Sequence, residues 1–214
     1  MTIDIISLLK FSDEEFAKKL FFEGEIYMNT IKWFKQLESK DIGDKYEGTT
    51  TIKNIKNAKV TFHLPQPVHF KSNSIQLTEH LVGAIGNIYS TYAISNLLVK
   101  RKKVHKIDRR MSQFGNHCVL IKNVQKFQLL IFQKLDELGL EYSHHYVRYK
   151  NFSINDHKLN PYTKSHLLSY QKEHRIVAWS ENDEPIKFKI GSIEKFAELY
   201  KTDKIIESLK VHRT

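Results

Sequence analysis

Apolar residues recur with two different periods along the chain, and each period predicts one kind of element. The clearest helical period begins after Asn123 and stops at Gly139, so this segment is predicted to be one long helix. The apolar side of this helix consists of Val124, Phe127, Leu130, Ile131, Leu135 and Leu138. The segments 116–122 and 141–152 flank the helix and are predicted to be strands, the second with one solvated face.

The N-terminal part of the chain predicts a strand, a helix, a strand and a second helix in close succession. Residues 3–11 form the first strand, and Ser12 and Glu15 have the spacing of a capping box at the start of a helix. Gly24 is a suitable end for that helix, and a short strand follows it. Asn29 is then predicted to cap the second helix. The inward residues of that helix are Ile31, Phe34 and Leu37.

The remaining strand patterns are shorter. Residues 59–63 alternate weakly, and the apolar segment 81–89 contains two glycines, which suits a central strand or a bulge. Residues 170–179, a polar turn and the alternating residues 186–190 predict a hairpin. The spacing of Ile193, Phe196 and Leu199 predicts a further helix near the C-terminus.

Composition limits the fold class. The 214 residues are 41% hydrophobic and 12% aromatic, which is typical of a folded globular protein. The sequence contains neither an internal repeat nor a linker-like stretch. We therefore expect residues 1–214 to form a single α+β domain, with a mixed or split central β-sheet flanked by helices.

Cysteine content and hydropathy predict the compartment. The one cysteine, Cys118, excludes an internal disulfide framework, and its apolar neighbours predict an inert buried thiol. No apolar run approaches the roughly 20 residues of a membrane-spanning helix, and the N-terminus lacks the basic region of a signal peptide. We expect a soluble cytoplasmic protein with no membrane partner.

The positive charge is concentrated in one segment. Residues 100–110 contain seven basic residues and one acidic residue, and therefore supply +6 of the formal net charge of +10. Such a segment can bind nucleic-acid phosphates or an acidic protein partner without reading sequence, or it can be a solvated loop. The candidate nucleic-acid-binding residues are Lys100, Arg101, Lys102, Lys103, Lys106, Arg109 and Arg110.

A charged pair marks the most informative strand. Glu173 and Arg175 are two positions apart, so a strand places both on one face, where burial is costly unless they hold each other or a ligand. Tyr27, Asn29 and Thr30 lie where an early strand passes into a helix, a junction that can bind a ligand. The order suggests one site assembled from both ends of the chain. The alternative for each segment is structural: a cap, a packed ring or a buried ion pair.

Two further groups carry weaker predictions. Asp44 and Glu47 lie in a short loop between two glycines, where a solvated turn is the common outcome. His144 and His145 are adjacent on a predicted strand and face opposite sides, so they would not bind one ion together. No metal site is therefore expected.

Three motifs together resemble a loosely defined, uncharacterised bacterial and phage family. Its members carry G-x-(L/I)-Y-x-(N/S), then D-x-x-E-G, and later Y-x-x-E-x-R. In this chain the motifs are Gly24-Glu-Ile-Tyr27-Met-Asn29, Asp44-Lys-Tyr46-Glu47-Gly48 and Tyr170-Gln-Lys-Glu173-His-Arg175. The resemblance spans most of the chain, and such members occur among phage, toxin and defence genes.

Members of this kind also resemble ADP-ribosyltransferases, whose split sheet binds NAD. The resemblance implies that Glu173 is catalytic and that Arg175 orients it or holds a pyrophosphate. It also implies that Tyr27, Asn29, Thr30 and Tyr170 bind NAD. The chain lacks the early His or Arg on the first strand and the S-T-S triplet of better-defined transferases.

The sequence therefore leaves two functions open. One is an NAD-dependent ADP-ribosyltransferase-like toxin, phage or defence protein. The other is a basic binding protein without chemistry, which acts on nucleic acid or on a host defence protein.

Overall fold

A central antiparallel sheet of eight strands organises the α+β fold. The computed structural model describes residues 4–36, 44–63, 65–80, 86–96 and 106–208. Its strands are β1 (Ile5–Ser12), β2 (Glu25–Thr30), β3 (Thr49–Phe62), β4 (Val68–His80), β5 (Asn87–Ser95), β6 (His117–Ile121), β7 (Glu141–Tyr146), β8 (Arg148–Lys150), β9 (His157–Lys158), β10 (Thr163–Ser165), β11 (Glu173–Trp179), β12 (Ile186–Lys189) and β13 (Ala197–Lys201).

Helices are fewer and mostly short. The α-helices are α1 (Glu14–Lys18), α2 (Ile31–Gln36), α3 (Val124–Glu137) and α4 (Thr202–Ser208). Single 3₁₀ segments lie at Arg109–Phe114, His166–Gln171 and Glu194–Phe196, and α1 continues into a π-helical turn at Lys19–Glu23. Within the described residues, no helix is long and apolar enough to cross a membrane.

The sheet splits at its middle strand, β5. Strand β11 runs along one edge of β5 from Asn87 to Tyr92. On the other edge, β2 pairs with β5 only at Asn87 and Ile88, and β1 pairs with it from Tyr92 onward. Because β1 turns away to pair with β6 and β2 turns away to pair with β12, a gap opens beside Ser90. This is the split central sheet that the sequence predicted.

Helix α3 covers one face of the sheet. Its Phe127, Ile131 and Leu135 are fully buried and pack in the main core with residues of the sheet such as Leu8 and Ile176. Each such side chain stabilises the fold by roughly 1.5–3 kcal/mol. The helix has the predicted start, since the Asn123 side chain accepts a hydrogen bond from the Lys126 N–H at 3.0 Å. Its long apolar stripe therefore predicted both the element and its packing.

The opposite face of the sheet carries two smaller apolar clusters. One surrounds Leu9 and Tyr92, and the other surrounds Ile88 and Val177. The register of β11 against β5 places a charged strip between them, because Glu173 lies opposite Tyr92 and Arg175 lies opposite Ser90. The polar residues of the candidate site therefore lie between two hydrophobic clusters.

Strands β3 and β4 form a long hairpin outside the central sheet. They pair from Thr49 with His80 to Phe62 with Val68. The short strand β9 adds to the root of this hairpin, where Ile52 pairs with His157. The sequence predicted only a weak strand at 59–63, because most of the hairpin lacks a regular alternation of apolar and polar residues.

Two other predicted N-caps, Ser12 and Asn29, differ from the structure. Ser12 is the last residue of β1, and α1 begins after Asp13 without a side-chain capping hydrogen bond. Asn29 lies inside β2, and the cap of α2 is Thr30, whose Oγ1 accepts a hydrogen bond from the Trp33 N–H at 3.1 Å. In both places the strand extends further than predicted because it pairs with a neighbour. Leu37 lies outside the described residues.

Two predictions near the C-terminus were wrong. Strands β11 and β12 do not form a hairpin: β11 pairs with β5 and β7, whereas β12 pairs with β2. The predicted helix over 193–199 is a 3₁₀ turn followed by β13, which pairs with β6. A neighbouring strand edge supplies backbone hydrogen bonds that the local helical spacing could not reveal.

Candidate functional site

A cavity of about 610 Å³ opens where β1 and β2 separate. Its volume lies in the range that is usual for small-molecule sites, roughly 300–1,000 Å³. Its walls are mainly aromatic and aliphatic, from Leu9, Phe11, Phe16, Leu20, Tyr27, Trp33, Phe34, Ile88, Tyr89, Tyr92, Met111 and Phe114. Its polar lining consists of Lys10, Ser12, Glu25, Asn29, Asp44, Glu47, Ser90, Thr91, Lys164, Gln171, Glu173 and Arg175.

Glu173 is held at the cavity wall as an anion. Its Oε1 accepts a hydrogen bond from Lys164 Nζ at 2.7 Å, and its Oε2 accepts one from Arg175 Nε at 2.6 Å. The Ser90 hydroxyl also donates to Oε2, at 3.3 Å. Burial alone would raise the pKa of Glu173, but the charges of Arg175 and Lys164 outweigh it and hold the pKa at about 2. The carboxylate is therefore ionised and fixed in orientation.

The backbone at Glu173 is fixed as well. Its N–H donates to the Tyr149 hydroxyl oxygen at 2.9 Å, and its carbonyl accepts from the Val147 N–H at 2.9 Å. Both partners lie near β8, next to the start of β11. The acid therefore stands on a rigid element, as a precise site requires.

Arg175 is a positioning residue within this network. Besides Glu173, its guanidinium binds Glu47 through two parallel hydrogen bonds, from Nη1 to Oε1 at 2.9 Å and from Nη2 to Oε2 at 2.8 Å. Nη1 also donates to the Pro161 carbonyl at 2.5 Å. These contacts use four of its five N–H groups. The structure thus favours the orienting role of Arg175 over the alternative role of holding a pyrophosphate.

The loop before β3 is part of the site, so the expectation of a solvated turn was wrong. Asp44 and Glu47 are each only 5% exposed. Burial raises the pKa of Asp44, an effect that nearby Lys164 partly opposes. The Asp44 Oδ1 accepts a hydrogen bond from the Tyr46 N–H at 3.0 Å and fixes the turn. The loop is buried because Arg175, far away in sequence, supplies the counter-charge of Glu47.

Sequence reasoning missed Lys164. This residue lies on β10 and is 4% exposed, with its ammonium group bonded to Glu173 and to the Gln171 Oε1 at 2.7 Å. A lone lysine in a polar stretch carries no signal of burial. Only the fold shows that β10 passes beside the start of β11.

Lys10 was missed too, although it lies on the first strand. Its Nζ donates to the Ser90 carbonyl oxygen at 2.8 Å and lies 4.4 Å from the centre of the Tyr89 ring. Within the described residues, no carboxylate lies within ion-pair distance of it. Burial lowers the pKa of Lys10 to about 8, and the charge of Glu173 opposes the shift. The split of the sheet explains this position, because it leaves the Ser90 carbonyl without a strand partner on that edge.

The predicted ligand-binding residues divide into two groups. Tyr27, which is 46% exposed, and Asn29 line the same cavity as Glu173. Thr30 is buried as the cap of α2 and does not line the cavity. Tyr170 is also buried away from it, with the Arg110 guanidinium 3.8 Å from its ring centre.

The predicted basic segment is only partly described. Lys100, Arg101, Lys102 and Lys103 lie outside the described residues. Lys106 and Arg109 are exposed. Arg110 is bound by Asp108, with Nη2 at 2.8 Å from Oδ2, and it stacks on Tyr170. Part of its charge is therefore already balanced within the fold.

Within the part of the chain that the structure describes, the cavity lining includes neither a histidine nor the cysteine. His144 faces His174, with 3.3 Å between Nδ1 and Nε2, whereas the ring of His145 packs against Tyr162. The described residues hold no group of three or more His, Cys, Asp and Glu side chains with metal-binding geometry. Cys118 is fully buried, and burial raises its pKa, as expected of an inert thiol.

Comparisons with known proteins found no relative of this chain. No protein-family model, no curated protein and no solved structure matches it.

Proposed function

We propose that this chain is an NAD-dependent ADP-ribosyltransferase-like protein, and that NAD binds in the cavity between β1 and β2. One observation carries the proposal: an ionised carboxylate, Glu173, is held rigidly at the wall of a ligand-sized cavity where the sheet splits. The order of the three sequence motifs supports it, since all three contribute residues to this cavity.

The chemistry explains why a fixed anion is needed. ADP-ribosyl transfer breaks the bond between the nicotinamide nitrogen and the anomeric carbon of the ribose. Nicotinamide leaves with the bonding electron pair, and positive charge develops on the ribose. A nucleophile on the target then bonds to the anomeric carbon and loses its proton. An anion held in place before the reaction stabilises the developing charge without reorganisation.

Glu173 retains the capacity for this role. A carboxylate offers about four acceptor sites, and Lys164, Arg175 and Ser90 occupy three of them. The remaining site, on Oε1, can accept a hydrogen bond from a ribose hydroxyl. Arg175 and Lys164 act as positioning residues, because they fix the carboxylate and keep it ionised.

Lys10 and the aromatic walls fit the rest of the ligand. The Lys10 ammonium has three N–H donors and gives one to Ser90, so two remain for a pyrophosphate. Tyr27 and Trp33 are partly exposed at the cavity and present rings on which a base or nicotinamide can stack. Asn29 supplies an amide that can bond the nicotinamide carboxamide.

The fluorescence of Trp33 provides a test of NAD binding. The chain has two tryptophans, and only Trp33 lines the cavity, so a Trp179→Phe background isolates its fluorescence. We expect NAD to change that fluorescence saturably. Tyr27→Ala, at an exposed position, should weaken NAD binding by roughly tenfold through lost stacking. Lys195→Ala, an exposed lysine outside the cavity, is the matched control and should bind normally.

Catalysis needs a separate measurement. Nicotinamide release should be detectable with wild type and should fall by at least about a hundredfold in Glu173→Gln, as is usual when a transition-state contact is lost. That variant should still bind NAD, which separates binding from chemistry. The absence of both NAD binding and nicotinamide release in wild type would refute the proposal.

A further inference from the structure

The β3–β4 hairpin projects beyond its root as a two-stranded arm. The root is fastened where Asn54 Nδ2 donates to the carbonyls of Phe152 and Asn155, at 2.9 and 2.7 Å. Beyond it, within the described residues, side chains from 55 to 75 hydrogen bond only within the arm. At about 3.4 Å per residue, the eight residues 55–62 extend roughly 27 Å.

The arm carries an excess of positive charge: among the described residues only Lys53 of its lysines has an acidic partner, Glu79, with 3.6 Å between Nζ and Oε1. Residues 53–78 contain four lysines and no Asp or Glu. Lys59 and Lys71 are directly opposite each other on the two strands. Like charges in that position destabilise a hairpin. An anionic partner would turn this unfavourable pair into a favourable one.

The end of the arm adds an apolar patch. Phe62, Val68 and Phe70 are each about half exposed, and the two phenylalanine rings lie 5.9 Å apart. In the register, the pair of Phe62 with Val68 lies three positions beyond the pair of Lys59 with Lys71. Cations along the arm and an apolar end are thus combined in one exposed element.

We propose that this arm binds duplex DNA, with the hairpin in a groove and its lysines on the phosphates. A two-stranded ribbon fits the major groove of B-DNA, which is about 12 Å wide. Lysines on phosphates supply affinity without sequence reading. Exposed apolar side chains at the end can pack against the thymine methyl groups that line this groove.

The spacing of the lysines favours DNA over an anionic membrane. Lys56 and Lys53 lie six and nine positions from Phe62, or roughly 20–30 Å at the usual rise of a strand. A membrane touched by the end of the arm would not reach them. An extended polyanion that lies along the arm contacts them together with Lys59 and Lys71. The inference does not depend on the proposed use of NAD, because it concerns a surface outside the cavity.

The test compares two triple variants of equal charge. The arm variant is Lys56→Ser, Lys59→Ser and Lys71→Ser. The control is Lys150→Ser, Lys195→Ser and Lys204→Ser. It removes exposed lysines on other surfaces that form no ion pair with any residue the structure describes. Binding to a fluorescent 20-base-pair duplex is measured by anisotropy over a salt series, and circular dichroism checks that each variant is folded.

We expect wild type to bind DNA with affinity that falls linearly with salt on a log–log scale. The slope should become less steep by about 0.9 for each lost phosphate contact, up to three contacts in the arm variant, and the control should keep the wild-type slope. Phe62→Ser with Phe70→Ser should weaken binding while preserving the slope, because these residues carry no charge. All duplex sequences should be affected alike by the lysine changes.

Three results would overturn the inference. The first is the absence of DNA binding by wild type at low salt. The second is an equal loss of slope in the arm variant and the control, which would assign binding to net charge alone. The third is binding to vesicles of anionic phospholipid, but not to DNA, that depends on Phe62 and Phe70.

Discussion

The Arg175 guanidinium donates two parallel hydrogen bonds, of 2.8 and 2.9 Å, to the carboxylate of Glu47, a residue 128 positions earlier in the chain. Both side chains are buried, with Arg175 only 2% and Glu47 only 5% exposed. The contact joins the loop before β3 to strand β11 in the centre of the sheet. It therefore fixes one wall of the cavity to the strand that carries Glu173.

Removing Arg175 should destabilise the protein strongly. Arg175→Ala leaves Glu47 buried without its counter-charge and should lower the free energy of unfolding by roughly 3–5 kcal/mol. Adding Glu47→Ala should recover part of that loss, because the second change removes the unpaired charge. Urea unfolding of the two single variants and the double variant gives the coupling energy.

Lys32→Ala is the matched control for this cycle. Lys32 pairs with Asp183 on the surface, where both side chains are about half exposed. Its loss should cost no more than about 1 kcal/mol. Strictly additive losses for Arg175 and Glu47 would show that the buried contact does not couple the loop to the sheet.

Some of this architecture could be predicted because its signals are local. The apolar stripe of α3 and its Asn123 cap lie within one segment, and the structure has both. The alternation of β11 predicted that Glu173 and Arg175 share a face. The identity of each element came from periodicity, which needs no knowledge of distant residues.

The missed features all depend on distant partners. Glu47 looks like a turn residue until Arg175 is placed beside it. Lys10 and Lys164 carry no local signal, since their positions follow from the split of the sheet and the path of β10. The wrong hairpin of β11 with β12 has the same origin: adjacency in sequence suggested a pairing that β2 and β5 instead supply.

Removing the hydroxyl groups of two tyrosines should have different effects on the stability of the protein. The Tyr149 hydroxyl accepts a hydrogen bond from the Glu173 N–H, so Tyr149→Phe should cost about 1–3 kcal/mol of stability. The Tyr89 hydroxyl is buried and has no hydrogen-bond partner in the described part of the chain, so Tyr89→Phe should be neutral or stabilising. Thermal and urea unfolding of both variants test the contrast. Equal losses for the two would contradict it.

His174 should make the fold sensitive to mild acid. Burial lowers the pKa of this histidine to about 3, and the charges of His144 and His145 lower it further in the same direction. The unfolded chain therefore takes up a proton at His174 near pH 6.5, whereas the folded chain does not. Stability due to neutral His174 is present above pH 6.5 and is lost progressively as the pH falls from 6.5 towards 3.

Replacing His174 isolates that effect. His174→Gln keeps a polar group beside Gln128 but cannot be protonated in this range. Its stability should fall less steeply than that of the wild type below pH 6.5, where only His144, whose pKa burial also lowers, still contributes to the loss. Below about pH 4.5, uptake of a proton by unfolded Glu173 adds to the loss in both proteins. Urea midpoints measured from pH 7 to pH 4 distinguish the two proteins. Parallel curves would show that His174 does not set the acid response.

Lys10 should make ligand binding depend on pH in the alkaline range. Because burial lowers its pKa to about 8, the ammonium is present below pH 8 and is lost above it. A pyrophosphate bound at Lys10 favours the charged form, so affinity for ADP should be constant below pH 8 and fall by up to tenfold per unit above it. The affinity for adenosine, which has no phosphate, should show no such decline. In the Lys10→Met variant the affinity for ADP should no longer decline above pH 8. Calorimetric titrations from pH 7 to pH 9.5 measure these affinities. An equal decline for ADP and adenosine would place the phosphates away from Lys10.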